Sequence, residues 1–192
     1  MRKYRSSIFS QIPFYPKEYF SHALILIAVI IAFIGFAFPK LILLFGLHRI
    51  PLDGDGPVML IGQVFLYQFL HGDPLHILMN SIFLYQAWPE IENRMSPIRF
   101  RIFFLLNTLF VALALWFFAP YSLTIWISGF CMALLSYLWI DLYTTWHPMA
   151  SQILVMLVIN IAIGLTGNIS FVGHASGALF GVITWFFRKK KC

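Results

Sequence analysis

The sequence predicts an all-α, polytopic membrane protein of six spanning helices with both termini in the cytoplasm. Three observations carry that prediction. First, 60% of the 192 residues are apolar and only 10% are charged, whereas an ordinary soluble domain carries about 25% charged residues. So sparse a charge cannot cover a water-facing surface. That excludes a cytosolic enzyme, and the composition equally excludes a disordered, collagen-like or coiled-coil chain; mean hydropathy is +0.84. Second, at about 20 residues per span the length accommodates six spans with short loops. Third, the basic residues are sorted along the chain in a way that assigns sides.

The first 22 residues are polar and mixed, with no small-residue cleavage site after the apolar run that follows. This predicts a cytoplasmic segment over 1–18 and a retained first span over Tyr19–Phe38, ended by Pro39-Lys40, rather than a removed signal peptide. Residues 39–72 are apolar but carry Lys40, Arg49, Asp53 and Asp55, and Gly54, Gly56 and Pro57 interrupt them. They read as a membrane-associated loop with short helices. Asp73-Pro74 opens the second span, an N-cap followed by proline at the first helical position. That span runs to about Trp88 with an extension toward Met95. Spans three to six follow over Phe100–Ala119, Ser128–Ile140, Met149–Leu165 and Phe171–Phe187, and a basic tail over 188–192 closes the chain.

On this layout eleven of the thirteen lysines and arginines fall on one side: Arg2 to Lys17, then Arg94, Arg99 and Arg101, then Arg188 to Lys191. Only Lys40 and Arg49 lie opposite. The positive-inside rule then places both termini in the cytoplasm. The net charge of +6 is a topology signal and not a nucleic-acid footprint. Two cysteines are too few for a disulfide framework, and Cys131, inside an apolar run, reads as an inert buried thiol.

Lipid cannot solvate polar side chains, so those within spans are the informative ones. His76, Asn80, Ser128 and His174 stand out. Taken singly, each has a bland reading, a serine bonded to its own helix or a polar residue joining helices. Depth separates them from that background. His76 precedes Glu90 by 14 residues, Ser128 precedes Asp141 by 13, and His174 precedes Arg188 by 14. At 1.5 Å per residue all three sit about 20 Å above the inner edge, and so about 10 Å below the outer surface of a 30 Å core. Asn80 is one turn deeper on the face of His76.

The set has the parts of an acyl-transfer site. A serine hydroxyl needs a base to take its proton, and histidine is the usual base near neutral pH. The tetrahedral intermediate needs preorganised donors, which His76, Asn80 and the backbone N–H groups of Ser128 and Gly129 at a helix start would supply. Close approach of spans four and six is encoded in Gly173, Gly177 and Gly181, a repeated small-xxx-small stripe answered by Gly129, Ala133 and Ser136. His71 precedes the helix start and reads as a residue positioning the loop. Asp141 lies about 20 Å along its helix from Ser128, too far to complete a triad.

These motifs resemble those of the rhomboid intramembrane serine proteases: His71-Gly-Asp-Pro-Leu-His76-Ile-Leu-Met-Asn80, then Ser128-Gly129, then Gly173-His174-Ala-Ser-Gly177-Ala-Leu-Phe-Gly181. The resemblance implies a six-helix bundle with a Ser128–His174 dyad, and His76 and Asn80 in the oxyanion hole. It also implies a first loop lying sideways in the outer leaflet, and peptide-bond hydrolysis in membrane-anchored substrates. Three positions depart from the family pattern. Gly-x-Ser-Gly reads Trp126-Ile127-Ser128-Gly129, the tyrosine one turn after the serine is Met132, and the Trp-Arg pair of the first loop is Gly62-Gln63. The first bears on substrate access and the second on how firmly His174 is held.

Two other classes use the same residues. A non-catalytic rhomboid-like protein would bind membrane segments on the same fold, but such proteins typically lack the serine or the histidine. A metal hydrolase would recruit His71, Asp73, His76 and His174, yet no His-Glu-x2-His helix is present and Asp73 is explained as an N-cap. The expectation is therefore a serine endopeptidase without metal or cofactor, whose partners are the bilayer and membrane-anchored proteins and not nucleic acid. A minimal six-span chain with a basic cytoplasmic tail suggests a bacterial inner membrane, with the site toward the outer face.

Overall fold

The computed structural model describes residues 20–49, 57–166 and 170–188, and among them every regular element is helical. The expected cytoplasmic segment 1–18, the tail beyond Arg188, Asp53, Asp55 and the Glu90 side chain lie outside the described residues. Helix α1 (Phe20–Ala37) is apolar from Ala23 onward. Its first turn is closed from a distance, because the Glu92 carboxylate accepts from the N–H groups of Phe20 (3.0 Å) and Ser21 (3.3 Å) and from the Ser21 hydroxyl (2.9 Å). A carboxylate there meets both the unpaired N–H groups and the positive end of the helix dipole.

Within the expected first loop, α2 (Lys40–Phe45) and α3 (Pro57–Leu66) are short, and a 3-10 turn over Tyr67–Phe69 follows. Helix α4 (Pro74–Arg94) begins as its sequence predicts: the Asp73 side chain accepts from the His76 N–H at 2.8 Å with Pro74 in the first turn. Helix α5 (Pro97–Phe118) begins three residues before the expected Phe100, because Ser96-Pro97 repeats the same device and the Ser96 hydroxyl accepts from Arg99 N–H at 3.4 Å. Helices α6 (Ser128–Thr144), α7 (Ala150–Ile163) and α8 (Phe171–Phe186) complete the order.

Helix α6 is the axis of the bundle. It is buried almost all round, from Ser128 to Leu142, as expected of a helix apolar on every face, and its most extensive contact is with α8. The outer helices reverse this pattern. Phe33, Phe117, Phe118, Val155 and Phe186 are exposed apolar side chains on α1, α5, α7 and α8. Among the described helices, α1 and α5 have the length and apolar composition to cross a membrane.

Candidate active site

The chain reaches Ser128 along an extended approach that the first loop holds in place. Leu47 and Thr124 exchange two backbone hydrogen bonds of 2.8 Å, and Trp126 N–H donates to the Tyr67 carbonyl at 2.9 Å. Between these tethers and the helix the backbone turns at Trp126 with φ of 115°. That region is comfortable only for glycine, and holding another residue there costs about 1–3 kcal/mol. Helix α6 then starts at Ser128. Phe130 and Cys131 N–H both return to the Ile127 carbonyl, which leaves the N–H groups of Ser128 and Gly129 at the head of the helix.

From α8, in the turn capped by Ser170 on Gly173 N–H (3.0 Å), His174 reaches across to α6. Its Nε2 lies 2.9 Å from Ser128 Oγ, and its Nδ1 lies 2.7 Å from the Asn160 carbonyl of α7. A carbonyl can only accept, so Nδ1 carries the hydrogen and Nε2 presents its lone pair to the hydroxyl. This is the tautomer of a general base. The Asn160 carbonyl is available because α7 tightens at its end: Gly164 N–H bonds back to Ile161 and Ala162 rather than four residues back. A 3-10 turn over Gly164–Thr166 follows. Gly164 itself lies against Phe171, where an added Cβ would fall 2.7 Å from Phe171 Cα.

Helices α6 and α8 meet backbone to backbone. A Cβ on Gly177 would collide with the Gly129 carbonyl, and one on Gly181 with the Ala133 carbonyl and the Ser136 hydroxyl. Gly173 faces Ser170 and Leu115 instead and meets α6 through its carbonyl, which points at Gly129. Close packing of this kind puts two side chains on neighbouring helices within hydrogen-bond reach.

Of the other expected site residues, Asn80 is buried between two partners. Its amide N–H donates to His71 Nε2 at 3.2 Å, and its carbonyl oxygen accepts from the Cys131 thiol at 3.9 Å. His71, fully buried, turns Nδ1 to the Phe69 carbonyl at 3.2 Å, so its ring orients Asn80. His76 packs against Trp126 with ring centres 4.3 Å apart and ring planes tilted by 38°. Asp73 is engaged as the α4 cap, and among the described residues no group of three or more His, Cys, Asp or Glu could hold a metal. Tyr67, Asn160 and Gly164 escaped the sequence reading. Gly164 carries a visible helix-stop signal, but main-chain carbonyls leave none.

The rhomboid domain profile matches residues 61–191, which take in α4 to α8 and every residue of this site. The chain belongs to the rhomboid family. It is thus a polytopic helical membrane protein, and the apolar exposure of its outer helices is lipid-facing surface. No curated protein matches the sequence significantly. Most rhomboids are serine proteases. In this rhomboid the three departures from the family pattern have defined surroundings. Met132 is buried in the core. Gln63 donates to the Leu44 carbonyl at 3.2 Å and pairs with His48 at 2.9 Å, joining α3 to the end of α2. Trp126 covers His76.

Proposed function

We propose that this rhomboid is an intramembrane serine endopeptidase that hydrolyses peptide bonds in or near the transmembrane segments of membrane proteins. The observation that carries the reading is the 2.9 Å contact of Ser128 Oγ with a His174 ring whose other nitrogen is fixed by the Asn160 carbonyl. As Oγ attacks the scissile carbonyl, His174 Nε2 takes its proton. The oxyanion forms against the N–H groups of Ser128 and Gly129, with Asn80 and His76 as side-chain donors. His174 then returns the proton to the leaving amine. Water, deprotonated by the same nitrogen, releases the acyl group from Ser128. The substrate helix must unwind locally, since a helical peptide bond hides its carbonyl. In this reading α1 and α4 to α8 are the six spans, both termini are cytoplasmic, and the site faces the outer side of a bacterial inner membrane.

Detergent-solubilised protein is expected to label at Ser128 with a fluorophosphonate and to cleave a single-span model substrate. Ser128→Ala and His174→Ala are each expected to lower cleavage by at least about 10³-fold, the scale of losing a nucleophile or its base, while still inserting and folding. Cleavage that persists in both variants, with host proteases excluded, overturns the assignment. The ring of Trp126 against His76 favours a second reading, a rhomboid that binds membrane segments without cleaving them. A folded wild type that does not label at Ser128 would support that one.

A further inference from the structure

Two unfavourable features coincide at one residue, two positions before Ser128. Trp126 holds a backbone conformation suited to glycine, with φ of 115°. Its indole Nε1, although buried, has no hydrogen-bond partner. A tryptophan usually finds a partner for that N–H when it is buried. Backbone strain and an unmet side-chain donor at one residue persist only where the surroundings enforce them, and such outliers cluster at functional sites.

The surroundings say what the ring does. It packs against His76, ring centres 4.3 Å apart and planes tilted by 38°. Its Nε1 edge lies against the exposed turn at Gly72, where an added Cβ would be 3.9 Å from Nε1. Tyr67 fixes the Trp126 backbone from the far side through the 2.9 Å bond to its carbonyl. The indole therefore fills the gap between the α4 start and the approach to Ser128, a gap that a glycine would leave open. Because the backbone is tethered, the ring is a fixed wall.

We propose that Trp126 is the specificity-determining residue of this site, its ring excluding large side chains beside the scissile bond. The proposal rests on the peptidase reading. A small residue fits beside the indole and a branched or aromatic one does not.

The test compares wild type, Trp126→Gly and Trp126→Phe on single-span substrates that differ only at the cleaved residue, from glycine to phenylalanine. A parallel series of alkyl and aryl fluorophosphonates reads labelling at Ser128. Trp126→Gly is expected to raise relative cleavage of the phenylalanine substrate, and relative labelling by the aryl probe, about tenfold or more, the scale of opening a pocket by several methylenes. Trp126→Phe keeps the ring without the donor. It is expected to preserve the size preference, because an aromatic wall remains in place. Labelling in all three proteins with an unchanged size preference overturns the role of Trp126 and leaves the peptidase reading intact. Absence of labelling in folded wild type overturns the peptidase reading and this one with it. A change in stability without a change in size ratio counts against it, because a purely structural residue would behave that way.

Discussion

The same three helices, α4, α6 and α8, are tied together at both ends of the bundle, by opposite kinds of chemistry. At one end α6 and α8 are joined through Ser128 and His174, both buried, with Asn80 of α4 reaching Cys131 of α6. Each of these groups is neutral and engaged by a directional hydrogen bond. At the other end, about 20 Å along α6, Asp141 pairs with Arg94 of α4 and with Arg188 after α8 at 3.5 Å, and the Trp185 indole donates to it at 3.4 Å. Arg188 lies over the Trp185 ring, 3.4 Å from its centre. The arginine side chains there retain 27–32% exposure. Full charges fasten helices cheaply where water still reaches them, whereas inside the bundle their desolvation would exceed the attraction. The buried end must therefore be held by fit and by hydrogen-bond direction, and that restraint aims the His174 ring at Ser128.

The widest break would come from Gly177→Leu, since the glycine stripe serves both ends. The new side chain would have to enter the Gly129 backbone, and overpacking of this kind costs about 3 kcal/mol or more. Helices α6 and α8 would separate, Ser128 labelling would be lost, and the midpoint of thermal unfolding in detergent would fall together with it. A variant that stays folded and labels at the wild-type rate would show that the contact is dispensable.

Asp141→Ala would divide the two ends. Removing the carboxylate leaves Arg94 and Arg188 facing one another, a loss of about 1–3 kcal/mol once their partial exposure is taken into account. Thermal unfolding is expected several degrees lower. At a temperature where both proteins are folded, Ser128 labelling should stay within about twofold of wild type, because sites this far apart act nearly independently. A large fall in labelling per folded molecule would mean that the charged end positions Ser128 and His174, and the contrast between the ends would fail.

Side-chain chemistry with a spacing was legible in the sequence; main-chain chemistry was not. Asp73-Pro74 marked the start of α4 because capping is a local rule. The same rule applies at Ser96-Pro97, which starts α5 three residues before its apolar run at Phe100. Ser128 and His174 could be named as partners because polar residues stand out against an apolar chain and because glycines at four-residue intervals imply close helices. Depth along the helices places Asp141 and Arg188 at one level, whereas the pairing of Arg94 with Asp141 depends on how α4 packs against α6. The Asn160 carbonyl and the φ of Trp126 had no signature, since each exists only once distant segments have packed.

That unread carbonyl supplies the smallest and sharpest test. Gly164 has ordinary helical dihedrals, φ of −58° and ψ of −20°, so alanine there meets no conformational strain. It would instead place a methyl group 2.7 Å from Phe171 Cα and 2.9 Å from Phe171 N. Backbone cannot yield as a side-chain tip does, so the start of α8 must move away from the end of α7. Phe171 is three residues before His174, on the turn that carries it. The movement would lengthen the 2.7 Å bond from Nδ1 to the Asn160 carbonyl and loosen the ring at the buried end alone. Gly164→Ala is therefore expected to slow Ser128 labelling about tenfold, equivalent to about 1.4 kcal/mol in the barrier, while the Asp141 end keeps its contacts. Gly164→Ala combined with Asp141→Ala should show additive losses, in labelling from the first and in stability mainly from the second. Strong coupling in that pair would mean that one end of the bundle sets the geometry of the other.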